Sequence, residues 1–231
     1  MSGIDTAILL AAGQGSRLRD AAPVKPLCPV RGRPLIDHAL ASLADAGMRR
    51  VVVVLGYEAE GIAAHLGAST HSQLTITTAR THDFLLPNGV SVLAAAGHVN
   101  GDALLAMCDH LAEPALYRRV AEAGTGGGIC LGIDRALGNP AVDPEDVTRV
   151  RTEGGRILAI GKGIDPFDCY DTGVFAIGPA LFESLAALPA PSLSEGVQRL
   201  AAAGRASVVD CTGLAWIDVD DPTALALAER S

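Results

Sequence analysis

The feature that most constrains this chain is an alternation. Short, largely apolar runs at residues 6–12 (TAILLAA), 50–55 (RVVVVL) and 102–107 (DALLAM), and the more polar strand expected at 74–78 (LTITT), are each followed by a stretch of helical periodicity, at 34–46, 58–66, 113–123 and 90–99 respectively. Runs this short with no polar alternation suit strands covered on both faces, and the intervening helices return the chain so that the next strand runs parallel to the last. Beyond residue 125 the pattern changes. Strands are expected at 129–133, 147–151, 156–161, 172–177, 207–210 and 215–219, and helices at 179–188, 193–203 and 222–229, with Glu153-Gly154-Gly155 as a hairpin turn. No repeat, low-complexity segment or linker interrupts the chain. The expectation is one α/β domain over 1–231 with a mixed, mostly parallel sheet flanked by helices. Within it, residues 126–231 cap a first half at 1–125.

Composition narrows the class. Apolar residues make up 49% of 231, enough for a large core, and the net charge of −8 argues against general binding to nucleic acid or anionic membranes. Four Phe, three Tyr and one Trp are too few for a base-stacking platform. No run approaches the ~18 apolar residues of a membrane span. Residues 1–13 lack the basic start and cleavage site of a signal peptide. The five cysteines (Cys28, Cys108, Cys130, Cys169, Cys211) are odd in number, with no C-x-x-C, and fit neither a disulfide framework nor a zinc site. A reduced, cytoplasmic setting is expected. Of 18 basic residues only Lys25 and Lys162 are lysines, so where they fall matters.

In open α/β sheets, ligands bind beyond the carboxyl ends of the strands. The first strand runs into Gly13-Gln14-Gly15-Ser16-Arg17, with Lys25 beyond it. Glycines let backbone N–H groups approach a phosphate, and Arg17 and Lys25 would neutralise it. The third glycine of a dinucleotide fingerprint is missing, and Gly56 stands where a ribose-binding acid would be, so a nicotinamide-dependent oxidoreductase is disfavoured. No P-loop is present. Asp109 ends the fourth strand, and Asp218 and Asp220 end the last. Carboxylates from separate strand ends suit an octahedral Mg²⁺ shared with substrate phosphates, although each could instead cap a helix.

The run L-A-A-G-x-G-S-R-L at 10–18, with K-P-L-x-P-V-x-G-x-P-L-I from Lys25, resembles the signature of nucleotidyltransferases that make nucleotide-activated sugars and alcohols. Asn88-Gly89-Val90-Ser91 and Met107-Cys108-Asp109-His110 resemble that superfamily's base-reading segment and its G-D-H metal motif. Lys162, Asp171-Thr172-Gly173 and Trp216-Ile217-Asp218-Val219-Asp220 are together similar to CTP:inositol-1-phosphate cytidylyltransferases. The resemblance implies a Rossmann-like, GT-A-like fold of the nucleotide-diphospho-sugar transferase type. It also implies transfer of CMP from CTP to a phosphorylated alcohol, with Mg²⁺ as cofactor.

Carried over residue by residue, the backbone of Leu10, Ala11, Ala12, Gly13, Gly15 and Ser16 holds the nucleotide, and Arg17 and Lys25 hold its triphosphate. Asn88, Gly89 and Ser91 lie near the base. Asp109 and Asp218 bind Mg²⁺, with Asp220 as a further acid. Lys162 holds the acceptor phosphate, and Asp171, with Thr172 and Gly173, lines the acceptor pocket. Arg17, Lys25, Asp109, Lys162 and Asp218 form the implied catalytic set.

The chain departs from the pattern at Cys108, where glycine is usual, and at Val24, inserted between Pro23 and Lys25. The membrane-embedded phosphotransferase to which some of these enzymes are fused is not expected here. A homodimer would be unsurprising. The rival acceptors are a sugar-1-phosphate (with UTP, dTTP or GTP), phosphocholine and an aminoalkylphosphonate. An amine would call for Tyr170 and Asp168 as its cage. The rival of another class is a non-catalytic, nucleotide-binding regulatory protein.

Overall fold

The computed structural model describes residues 3–69 and 71–230. Strand β1 (Thr6–Ala11) is buried along its whole length. It runs into a loop with short 3₁₀ turns at Ser16–Leu18 and Lys25–Leu27 and a small ribbon, β2 (Pro29–Val30) with β3 (Arg33–Pro34). Helix α1 (Leu35–Asp45), strand β4 (Arg50–Leu55), helix α2 (Ala59–Ala68), strand β5 (Thr75–Arg80), helix α3 (Asn88–Ala94) and strand β6 (Ala103–Met107) follow. Strands β5, β4, β1 and β6 pair in parallel in that order, as the alternation predicts. Strand β5 begins and ends later than residues 74–78, and α3 stops short of residue 99, where a 3₁₀ turn (Ala96–His98) replaces its last part.

A short strand, β7 (His110–Ala112), leads to α4 (Pro114–Ala123). Then come β8 (Ile129–Asp134), β9 (Arg149–Glu153), β10 (Arg156–Gly161) and β11 (Cys169–Ile177). The β9–β10 hairpin sits two residues later than expected on its first arm. Gly154 and Gly155 both take positive φ, +56° and +76°, the demand of a two-residue turn that matches strand twist. Helices α5 (Pro179–Ala186) and α6 (Leu193–Ala202), strand β12 (Ala206–Asp210), strand β13 (Trp216–Asp218) and helix α7 (Pro222–Ala228) complete the chain.

Strand β11 joins the halves. It runs antiparallel to β6 on one side and to β8 on the other, so one nine-stranded sheet passes through both halves. The far end curls back on itself. The order continues β8, β12, β10, β9, and β9 pairs again with β11 through Cys169 and Tyr170. In this ring β10 meets β12 at only one pair, Arg156 with Ser207. Farther along β10, Gln198 of α6 takes over: its amide donates to the Leu158 carbonyl (3.2 Å) and accepts from the Ile160 N–H (3.1 Å).

Strand β13 does not join this sheet. It forms a separate antiparallel ribbon with β7, pairing Trp216 with Ala112 and Asp218 with His110. Two apolar layers sandwich the main sheet, one beneath α1, α2 and α4 and one beneath α3, α5 and α6. Among the described residues, no helix is long and apolar enough to cross a membrane.

Candidate active site

Two adjoining cavities open at the carboxyl ends of the parallel strands. The first, about 250 Å³, is lined by Leu10, Ala11, Gly13, Gly15, Ser16, Arg17, Lys25 and Asp109. The second, about 160 Å³, includes Lys162, Asp171, Gly173, His110, Trp216 and Asp218. Arg17 and Asp220 line both.

Gly15 shows why this loop needs glycine. Its φ is +57°, and a Cβ there would lie 2.3 Å from the Lys25 Cβ. The loop therefore folds flat over the lysine stem, which is almost entirely buried. The Lys25 ammonium emerges between two carboxylates, 2.5 Å from Asp109 Oδ2 and in contact with Asp220 Oδ1. Burial works against its charge, but Asp109 and Asp218 outweigh that, and the Lys25 pKa is raised. Asp109 is likewise pushed up by burial but held below the usual carboxylate range by Lys25 and His110.

The charges continue across the cleft. Asp220 Oδ2 contacts Arg17 Nη2, which also lies 2.8 Å from Asp146 Oδ2, and Asp146 Oδ1 contacts Lys162 Nζ. The result is an unbroken alternation: Asp109, Lys25, Asp220, Arg17, Asp146, Lys162. It runs from the glycine-loop cavity into the second one and includes both lysines of the chain. The hydrogen bond to Lys162 is the main reason that the Asp146 pKa is lowered. Asp146 is a residue that the sequence did not reveal. It lies in an irregular loop between β8 and β9 and meets Arg17 from 129 positions away.

The Asp109–Asp218 pair comes together with His110. His110 Nδ1 lies 2.9 Å from the Thr172 carbonyl oxygen, and its Nε2 lies 3.4 Å from Asp218 Oδ2. Burial disfavours the imidazolium, but Asp218 overcomes it and raises the His110 pKa to about 10. Trp216 stacks on His110 at 6.1 Å, and its indole N–H donates to the buried Asp134 carboxylate (3.0 Å). Asp134 is a second residue missed in the sequence. Through Trp216 it fixes the wall of the second cavity.

Among the described residues, nothing hydrogen-bonds to the buried Asp218 Oδ1. A leftover acceptor beside a second carboxylate is the donor set a divalent cation requires, so these residues fit one. Asp220 is placed otherwise: both of its oxygens face cations, Lys25 and Arg17.

The remaining expected residues divide. Asp171 lines the second cavity, where burial raises its pKa to about 6. The Thr172 side chain does not line it. Its hydroxyl donates to the Gly132 carbonyl (2.8 Å) inside the sheet, so only its carbonyl serves the site, through His110. Ala12 is buried, and its carbonyl accepts the Tyr57 N–H.

Of the three residues expected near the base, Asn88 borders the second cavity, and its Oδ1 accepts from the Leu193 N–H (2.8 Å). Gly89 abuts the Pro191 carbonyl, where a Cβ would come within 2.5 Å, and Ser91 is buried. Nothing brings these three into the glycine-loop cavity. The amine-cage candidates are also placed elsewhere. Tyr170 is buried, with its hydroxyl donating to the Leu137 carbonyl, and Asp168 pairs with Arg135 and Thr152.

The chain is similar to known proteins along most of its length. Residues 7–208 match the family described as MobA-like NTP transferase domain. The chain is 35% identical over 97% of its length to a bifunctional IPC transferase and DIPP synthase from Rubrobacter xylanophilus, covering 51% of that protein. It is 29% identical over 94% of its length to a CMP-5'-(3-aminopropyl)phosphonate synthase from Streptomyces rubellomurinus, covering 37% of it. Thus the chain spans about half, or less, of the curated relatives it matches. A solved structure, the inositol-1-phosphate CTP transferase from T. maritima, superposes with a TM-score of 0.86 at 25% identity, over 99% of this chain and 95% of that one. UDP-glucose pyrophosphorylase shares the fold at 15% identity, with a TM-score of 0.81.

Proposed function

Because the chain belongs to the MobA-like NTP transferase domain family, we propose that it moves CMP from CTP to the phosphate of a phosphorylated alcohol, with inositol-1-phosphate the favoured acceptor. The observation that carries this reading is the run of alternating charges joining two cavities that meet at Arg17 and Asp220. Each cavity holds a lysine poised for one phosphate group. CTP as donor and inositol-1-phosphate as acceptor are supported by the likeness to the T. maritima protein, an inositol-1-phosphate CTP transferase.

In the proposed reaction an acceptor phosphate oxygen attacks the α-phosphorus of CTP. A new P–O bond forms, the bond to the β-phosphate oxygen breaks, and pyrophosphate leaves with that electron pair. The attacking oxygen is already anionic, so no side chain need take a proton. The task is to bring two polyanions together, and positioning with fixed charge accomplishes it. Lys25 and Arg17 would hold the triphosphate and stabilise the departing pyrophosphate. Lys162 would hold the acceptor phosphate, and Asp171 would accept hydrogen bonds from its hydroxyls. Mg²⁺, held by Asp109 and Asp218, would neutralise charge on the phosphates.

No described cysteine takes part. All five are free and buried, and burial raises their thiols, Cys211 to about 11 and Cys169 to about 12. Tyr170 and Asp168 would not cage an amine from where they stand, whereas Asp143, Asp171 and Trp216 of the second cavity leave an amine-bearing acceptor as the rival that the experiment must decide.

The experiment is a matrix of four nucleoside triphosphates against inositol-1-phosphate, glucose-1-phosphate, phosphocholine and 3-aminopropylphosphonate with Mg²⁺, read as pyrophosphate release. CTP with inositol-1-phosphate is expected to dominate. UTP or dTTP with glucose-1-phosphate would correct both substrates and keep the reaction type. Silence in every well would point instead to a regulatory nucleotide-binding protein.

A further inference from the structure

Asp146 holds two cations at once. Its Oδ2 lies 2.8 Å from Arg17 Nη2, and its Oδ1 contacts Lys162 Nζ. The proposed reaction assigns these two cations to different phosphates, Arg17 to the triphosphate and Lys162 to the acceptor. A carboxylate thus stands between them with one oxygen on each, as the oxygens of a phosphate would. The cleft is also balanced in charge, with Lys25, Arg17 and Lys162 set against Asp109, Asp220 and Asp146. A phosphate seated on either cation meets the Asp146 charge at close range, and like charges that near repel.

Stability does not explain the contact. The Arg17 and Lys162 side chains are 49% and 61% exposed, and ion pairs with such partners add little to folding. The turn that carries Asp146 is free to swing. Val142 and Val147 pack on the core at its ends, but Asp143, Pro144 and Glu145 between them are exposed. Its N–H groups are satisfied within the turn. Those of Asp146 and Val147 donate to the Asp143 carbonyl (3.3 and 3.0 Å), and that of Glu145 donates to Asp143 Oδ1 (2.9 Å). Arg149 Nη2 ties the turn from outside, through the Pro144 carbonyl (2.9 Å).

We propose that Asp146 is an internal counter-ion which substrate phosphate displaces, and that it couples the two cavities. Asp146 holds Arg17 and Lys162 until a phosphate takes either one. That first ligand bears the cost of moving the aspartate, and the second finds its cation already released. Asp146 is therefore a positioning residue: it makes the cleft take up its two phosphate groups as a pair. The inference rests on the reading of Arg17 and Lys162 as phosphate-holding groups.

The test uses the full chain without nucleotide or metal. Titration calorimetry follows inorganic phosphate as the probe, with inorganic pyrophosphate as the second ligand. Asp146→Asn keeps the shape of the side chain and removes its charge, and it should bind phosphate about 5–10-fold more tightly than the parent, the scale of one or two exposed ion pairs. Glu145→Gln removes a charge from the same turn outside both cavities, and it should change the affinity by less than about twofold. With saturating pyrophosphate the advantage of Asp146→Asn should shrink to about twofold or less, since the aspartate is then already displaced. In the unaltered chain, phosphate should speed hydrogen exchange at the Asp146 and Val147 amides, the reverse of ordinary protection by a ligand.

Equal or weaker phosphate binding by Asp146→Asn would make the residue a fixed clamp and overturns the proposal. So does an equal gain from Glu145→Gln, an advantage that pyrophosphate leaves undiminished, or no phosphate binding by either chain. Slower or unchanged exchange at Asp146 and Val147 overturns it even where the variant does not fold. No substrate pair is present, so the two readings fail separately. A chain that shows the displacement but releases no pyrophosphate with any substrate pair would refute the transfer reaction alone.

Discussion

Lys162 and Asp171 approach the same cavity with opposite requirements. Lys162 is exposed and, among the described residues, pairs with Asp146 alone, so replacing it should cost little stability and mainly weaken the acceptor. Lys162→Ala should lower kcat/KM for the acceptor by about 10²–10³, chiefly through KM, with KM for CTP little changed, as steady-state kinetics with each substrate varied would show. Asp109→Ala should abolish turnover at saturating Mg²⁺, and near-normal kcat would remove it from the metal site.

Asp171 makes a pH prediction. Its carboxyl titrates near 4 in the unfolded chain and near 6 in the folded one, so the folded state holds its proton longer. Stability is therefore lost as pH rises from about 4 to about 6, and the deficit persists above that. Two pKa units correspond to about 3 kcal/mol, or about 2 kcal/mol for a partly exposed side chain. Asp171→Asn should therefore unfold at higher urea than the parent at pH 8 and close to it at pH 4, with Asn Oδ1 still able to accept the Gly173 N–H. Arg17, Lys25 and Asp109 were legible in the sequence because each sits in a fixed pattern next to a strand end. Asp146 was not. An aspartate in an aperiodic loop carries no local sign of the partners that the fold brings to it.

The elements show the same division. Strands β1, β4 and β6 were readable because both of their faces are buried, which forces an apolar run. Strand β11 was read three residues short, from Thr172 instead of Cys169, since the charged Asp171 interrupts the apolar run. The break is functional: pairing with β8 shifts register between Asp171 and Phe175, and Gly173 takes a φ of +77°. This bulge turns the Thr172 carbonyl toward His110 and makes room for the ring. Gly173→Ala would suffer both the backbone strain and the clash with His110, and should destabilise the protein by about 2 kcal/mol or more in chemical denaturation. By contrast, Ser192 starts α6 with a full capping box shared with Glu195. Ser192→Ala should cost about 1 kcal/mol and leave kinetics unchanged. Strand β7 escaped notice because it is three residues long and pairs with β13, where the partner of His110 is the sequence-distant Asp218.

For the whole molecule, the sheet sets where the fold opens last. Strands β1, β6 and β11 lie in its middle, covered on both faces, whereas β5 forms an edge with most of its residues exposed. Native-state hydrogen exchange should be slowest in the central three and fastest in β5, and equal protection would contradict a single cooperative sheet.

The curl of the other end has a consequence for self-association. Unpaired strand edges are templates on which a second chain can add a strand. Where β10 parts from β12, the amide of Gln198 satisfies Leu158 and Ile160 as a neighbouring peptide would. One side chain thus stands in for a missing strand and hides the sticky backbone. Gln198→Ala would uncover that backbone and leave the catalytic cleft intact, and its expected signature is a rise in light scattering on mild heating before any loss of the native fold.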